Sequence, residues 1–135
     1  MKLFRVLLIL FFITTSIFAK EAESLEVDEL ESYIQKNIIV VDIRAKKQWA
    51  KTGVIPNSYK ISYVNNSQKE QKKWLQILMR VLKEKSIAFV LISKDGKEAK
   101  ALANRLYKQK KFSKVKYLNG GIDSWISSKR EVRND

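Results

Sequence analysis

Neither cysteine nor histidine occurs among the 135 residues. Their absence excludes thiolate catalysis, disulfides, Cys or His metal sites, and nucleophile activation by a histidine. It also removes the cysteine pattern as a guide to compartment. A single proline and four glycines leave little room for long flexible linkers. Acidic residues are scarce beside basic ones, 14 against 27, for a formal charge of +13. That balance favours anionic neighbours such as lipid headgroups, nucleic acid or an acidic protein. The lysines look scattered rather than gathered on one face, which is the pattern of a solvated surface. What the chain does have is apolar content, 45%. A real core is therefore available, at a length that suits one domain.

The first 19 residues stand apart. Lys2 and Arg5 form a short positive region, Val6 to Ile13 is continuously apolar, and Thr14, Thr15 and Ser16 precede Ile-Phe-Ala. This is the layout of a secretory signal peptide with cleavage after Ala19, and it implies a periplasmic or secreted protein. The alternative is a membrane anchor over residues 6–19, although that stretch is short of the ~20 residues a span needs.

The mature chain reads as alternating strands and helices. Leu25-Glu26-Val27 suggests an edge strand, and Asp28 a cap for a helix through Gln35. Ile38 to Val41 is β-branched and apolar on both faces, as in a central parallel strand. A short helix with Trp49 follows, then a turn at Gly53-Val54-Ile55-Pro56-Asn57 and a strand over Ser58 to Ile61. Residues 69–85 predict a long helix whose stripe is Trp74, Leu75, Leu78, Val81 and Leu82. Phe89 to Ile92 is a buried strand, Ser93 to Lys97 a tight polar loop, and Lys97 to Lys110 a helix with Ala99, Leu102, Ala103 and Leu106 on one face. Val115 to Leu118, a turn at Asn119-Gly120-Gly121, and a helix over Ile122 to Ser128 with Trp125 inward complete the domain, 24–129. Residues 130–135 form a charged tail that is expected to fray. The implied fold class is α/β, with a mostly parallel central sheet and helices on both faces. In such sheets the strand carboxyl ends and helix amides meet at the site, here the Ser93 loop.

Several stretches match one family in order. Val41-Asp42-Ile43-Arg44 resembles an Asp-x-Arg strand end. Trp49 with Gly53 to Ser58 resembles an aromatic followed by Gly-His-Ile-Pro-Gly-Ala. Leu118 to Trp125 resembles Leu-x-Gly-Gly-x-x-x-Trp, carried by Gly120, Gly121 and Trp125. On these residues the chain resembles the rhodanese-like domain. The resemblance implies that fold and a six-residue loop whose amides point at a catalytic cysteine, the acceptor of a sulfane sulfur. Ser93 occupies that cysteine's place, followed by Lys94-Asp95-Gly96-Lys97-Glu98; Gly96 is kept, and Glu98 replaces the usual Arg or Thr.

A serine hydroxyl is far less acidic than a thiol and attacks only beside a base. The expectation is a rhodanese-like protein without sulfurtransferase activity, acting as a binding or adaptor module. The alternative is a residual sulfur- or anion-handling enzyme using the retained loop. Ser93 reads either as a hydroxyl capping the next helix or as a ligand contact. Lys94 and Lys97 read as solvated charges or as anion contacts, with Asp95 and Glu98 opposing an anion. Asp42 and Arg44 read as fold-stabilising, and Trp49 and Trp125 as core. No cofactor or metal is implied. The partner is a protein or small anion. No nucleic-acid recognition motif accompanies the charge, and contact with acidic surfaces or membrane is open.

Overall fold

The structure is a computed structural model, which describes residues 20–134. The signal segment expected at 1–19, and Asp135 of the tail, lie outside the described residues.

Five strands make one sheet in the order β1-β5-β4-β2-β3: β1 Glu23–Leu25, β2 Ile39–Asp42, β3 Tyr59–Lys60, β4 Phe89–Ile92 and β5 Val115–Leu118. Every pairing between them is parallel. β4 is central and all four of its residues are buried, which is why its sequence is an unbroken apolar run. Five helices cover the sheet: α1 Val27–Gln35, α2 Lys46–Thr52, α3 Gln68–Leu82, α4 Lys97–Gln109 and α5 Gly121–Ser127.

Alternation along the strands sorts the core into two layers. Val41, Phe89 and Leu91 face Trp74, Leu78 and Leu82 of α3 and Leu102 and Leu106 of α4. Val40, Val90 and Ile92 face Leu30 of α1 and Ile122 and Trp125 of α5. Each fully buried Leu, Ile or Phe contributes roughly 1.5–3 kcal/mol by leaving water.

The structure shifts some boundaries. β1 begins earlier than expected, and Val27 opens α1 instead of ending a strand. Asp28 lies in the first turn and does not cap the helix. Glu26 does, its amide donating to Glu29 Oε1 at 3.1 Å. Leu25 and Val27 are both buried, so two residues apart they imitate a strand although a helix starts between them. α3 ends at Leu82, not Lys85, because Lys83 turns to φ +71. The tail is also held. Val54 and Arg133 form an antiparallel bridge with both N···O distances at 2.8 Å, Trp125 Nε1 donates to the Glu131 carbonyl, and Arg130 binds Asp28 and Glu31. Trp125 is core, but Trp49 is only half-buried on α2 and belongs to neither layer; its indole N–H is shielded without a partner.

An all-parallel sheet sorts the molecule end from end. The strands finish, and α1, α3 and α4 begin, at the end that carries Ser93. Those helices finish, and β2, β4 and β5 begin, at the opposite end.

Candidate functional site

Ser93 follows β4 directly and is only 1% exposed. Its Oγ accepts from the amide of Gly96 at 3.1 Å and from that of Ala99 at 3.2 Å. The hydroxyl thus ties the loop to the first turn of α4, as a capping side chain does. Its carbonyl accepts from Ile122 N at 2.9 Å, and the Lys94 carbonyl from Asp123 N at 3.0 Å, so the start of α5 is bound to the same loop. The exposed Asp95 folds back on the loop, its Oδ1 accepting from the amide of Lys97 at 3.1 Å. Three amides of the loop and the first turn of α4 are occupied by the chain's own oxygens.

Two glycines make this closeness feasible. A Cβ on Gly96 would stand 2.9 Å from the Leu118 carbonyl oxygen, and one on Gly121 would stand 2.4 Å from the Ser93 carbonyl oxygen and 2.5 Å from that of Lys94. Both glycines have positive φ, +90 and +59. Gly121→Ala is therefore expected to force the loop off α5 and to cost about 2–3 kcal/mol in strain alone, read as a fall in the urea midpoint with faster amide exchange at Ile122 and Asp123.

The charged loop side chains are exposed. Lys94 Nζ pairs with Asp123 at 2.9 Å, and that hydrogen bond holds its pKa above the ordinary lysine value. A lysine held protonated cannot serve Ser93 as a base. Lys97 Nζ lies 3.9 Å from Asp95. Glu98 points along α4 to a cleft of about 270 Å³ that it lines with Tyr63, Asn65 and Arg105. The Arg105 guanidinium lies over the Tyr63 ring, 5.5 Å from its centroid, and the Tyr63 hydroxyl is shielded without a hydrogen-bond partner. This cleft was not anticipated. Its signal was the helical spacing of Glu98, Leu102 and Arg105, one face of α4.

Asp42 and Arg44 sit side by side at the end of β2, next to β4 but turned from the loop. Arg44 binds both carboxylate oxygens of Asp42, through Nε at 3.0 and 3.1 Å and through Nη2 at 2.8 Å. Its remaining reach goes to the Gly53 carbonyl at 2.8 Å and Thr52 Oγ1 at 2.7 Å. Gly53 and Pro56 lie on the connection from α2 to β3, and Gly53 packs against the C-terminal tail. Gly120 caps α5 with φ +73. The structure thus brings Ser93 to Glu98 together with Gly120 and Gly121, and joins Asp42, Arg44 and Gly53 as a separate cluster at the end of β2, with Trp49 on α2 and Pro56 beside Ile34 and Trp125 outside it. Among the described residues no group of three or more carboxylates is placed to hold a metal ion.

Solved structures share this architecture. A rhodanese-related protein from Thermoplasma volcanium is 23% identical, with TM-score 0.64 over 84% of this chain and 99% of that one. The thiosulfate sulfurtransferase of Pseudomonas aeruginosa aligns with TM-score 0.64 at 13% identity, over 83% of this chain and 20% of the enzyme. A yeast protein tyrosine phosphatase of the rhodanese family gives TM-score 0.59 at 21% identity, over 81% and 87%. No curated protein matches the chain. At these identities the structures speak for the fold, but the family model of the rhodanese-like domain matches residues 26–128, and the chain accordingly belongs to the rhodanese-like domain family, with serine at the end of β4 and no cysteine.

Proposed function

We propose that this chain is an exported rhodanese-like protein without sulfurtransferase activity, which keeps the family scaffold as a binding or adaptor module. The carrying observation is the state of Ser93 Oγ: buried, and accepting two loop amides. In the family these amides would serve a sulfur anion. Here a neutral hydroxyl holds them, with no histidine in the chain to deprotonate it and with Lys94 committed to Asp123. Asp95 takes a further amide, and Glu98 adds negative charge at the adjoining cleft. Each of these disfavours an incoming thiosulfate or phosphate. Export is supported by the charge and apolar layout of residues 1–19.

With thiosulfate as donor and cyanide as acceptor, the purified protein is expected to form thiocyanate no faster than a protein-free blank. Turnover well above that blank would remove the silent part of this reading.

A further inference from the structure

The lysines that look scattered along the sequence meet at one end of the molecule. Because the strands are parallel, the segments leading into β1, β2, β4 and β5 share the end opposite Ser93. Lys20 precedes β1, and Lys36 follows α1. Lys83 and Lys85 lie between α3 and β4, and Lys110, Lys111 and Lys114 between α4 and β5. All seven are exposed. Two acids of this end are paired, Glu21 with Lys108 at 3.8 Å and Glu23 with Lys116, while Glu84 keeps its charge and accepts from the Ser86 hydroxyl at 3.3 Å, leaving seven lysines against one free carboxylate among the described residues. Among the described residues, none of the seven lysines has a carboxylate within 4.0 Å. At the Ser93 end Lys94 and Lys97 are matched by Asp123 and Asp95, and the exposed Lys46, Lys47 and Lys69 are spread over the starts of α2 and α3.

Helix dipoles explain a cation at each helix carboxyl end. They do not explain Lys110, Lys111 and Lys114 in succession, nor Lys20 before β1. The seven are lysines throughout, with no arginine in these loops. Lysine is a compact point charge without the planar fork that reads one carboxylate or phosphate bidentately, so the surface suits a field of many anionic groups. Ile87 in the α3–β4 loop adds an exposed apolar side chain. The chain itself indicates the occupant. Residues 1–19, with their apolar run, join the fold at Lys20, which rims a cleft of about 390 Å³ together with Lys36 and Lys114. A bilayer that receives the N-terminal segment therefore lies at the lysine end.

We propose that this end is a membrane-facing surface, which seats the domain on anionic phospholipid headgroups and points the Ser93 loop away from the bilayer. It builds on the exported-module reading, yet its test involves no loop chemistry, so either can fail alone. With residues 1–19 retained, the join at Lys20 tethers this end to the bilayer; with them removed, the lysine charge alone seats it.

The test uses residues 20–135, which carry the whole sheet and its five helices. The probes are vesicles of phosphatidylglycerol with phosphatidylethanolamine, and vesicles of phosphatidylcholine alone. Co-sedimentation is expected with the first only, weakening at least about tenfold between 0.05 and 0.5 M NaCl as screening shortens. K110Q/K111Q/K114Q is expected to lower partitioning by about a hundredfold, and K83E/K85E to lower it from a second loop. The first variant changes exposed side chains and should keep the parent circular-dichroism melt; Lys85 Nζ also lies 5.5 Å from the Phe112 ring centroid, so the second is compared at a temperature below its own melt. K46Q/K47Q/K69Q, at the Ser93 end, is expected to change partitioning less than about threefold. Equal binding to phosphatidylcholine would overturn the proposal. So would an equal loss in the Ser93-end variant, or capture of polyglutamate or duplex DNA by a protein that ignores the vesicles.

Discussion

Ser93→Cys is expected to place a reactive thiol in the loop. The amides of Gly96 and Ala99 already converge on the side-chain atom at 3.1 and 3.2 Å. A neutral hydroxyl gains little from two donors, whereas a thiolate gains charge-assisted hydrogen bonds and the positive end of α4. The introduced thiol should therefore ionise below the ordinary value of ~8.5. The check is the pH dependence of its alkylation by iodoacetamide, together with thiosulfate-dependent persulfide formation, which the parent protein lacks. Asp95 and Glu98 oppose both the thiolate and an anionic donor. Glu98→Arg in the Ser93→Cys background should raise the rate of persulfide formation by about tenfold, the effect of ~1.4 kcal/mol of altered charge interaction. An alkylation profile centred at the ordinary thiol value would mean that the amides give no anion stabilisation, and the cradle interpretation would fall.

That experiment separates shape from reactivity, and the sequence already hinted at both. The β2 and β4 runs, the stripe on α3 and the Ser93 loop were readable because each obeys a local period, two or 3.6 residues, set by a single buried face. The substitution at Ser93 was readable because it is a change of atom in a recognisable frame. What escaped were features made by distant segments. Nothing in Glu131 to Asn134 announces that Arg133 will pair with Val54, across 79 residues of chain. Trp49 looks like core by residue type, yet it is half-buried on a seven-residue helix none of whose residues is buried. The lysine end shows the same limit in another form. Its members fall between a helix and the next strand, or ahead of the first strand, so their spacing follows the β-α repeat and not any charge period. Only after every crossover is placed parallel do they become neighbours.

The Asp42–Arg44 pair gives the largest effect on stability. Both side chains are buried, at 1% and 2% exposure, and the pair has no water to fall back on. Removing one partner of such a pair strands the other charge and costs about 3–5 kcal/mol. Asp42→Ala is expected to lie in that range, with a fall in Tm on the order of 15 °C. Arg44→Leu should cost at least as much, because it also releases the Gly53 carbonyl and Thr52, and with them the turn that the C-terminal tail packs against. The double variant is expected to lose less than the sum of the two, since it leaves no unpaired buried charge. Urea unfolding of the four proteins gives the coupling energy directly. An additive cycle would mean that the two groups act independently. A loss of vesicle binding in Asp42→Ala with an unchanged urea midpoint would move the pair from brace to binding surface. The geometry argues for the brace, because the Arg44 guanidinium is spent on Asp42, Thr52 and Gly53, all on the β2–α2 side of the sheet and none on the Ser93 loop.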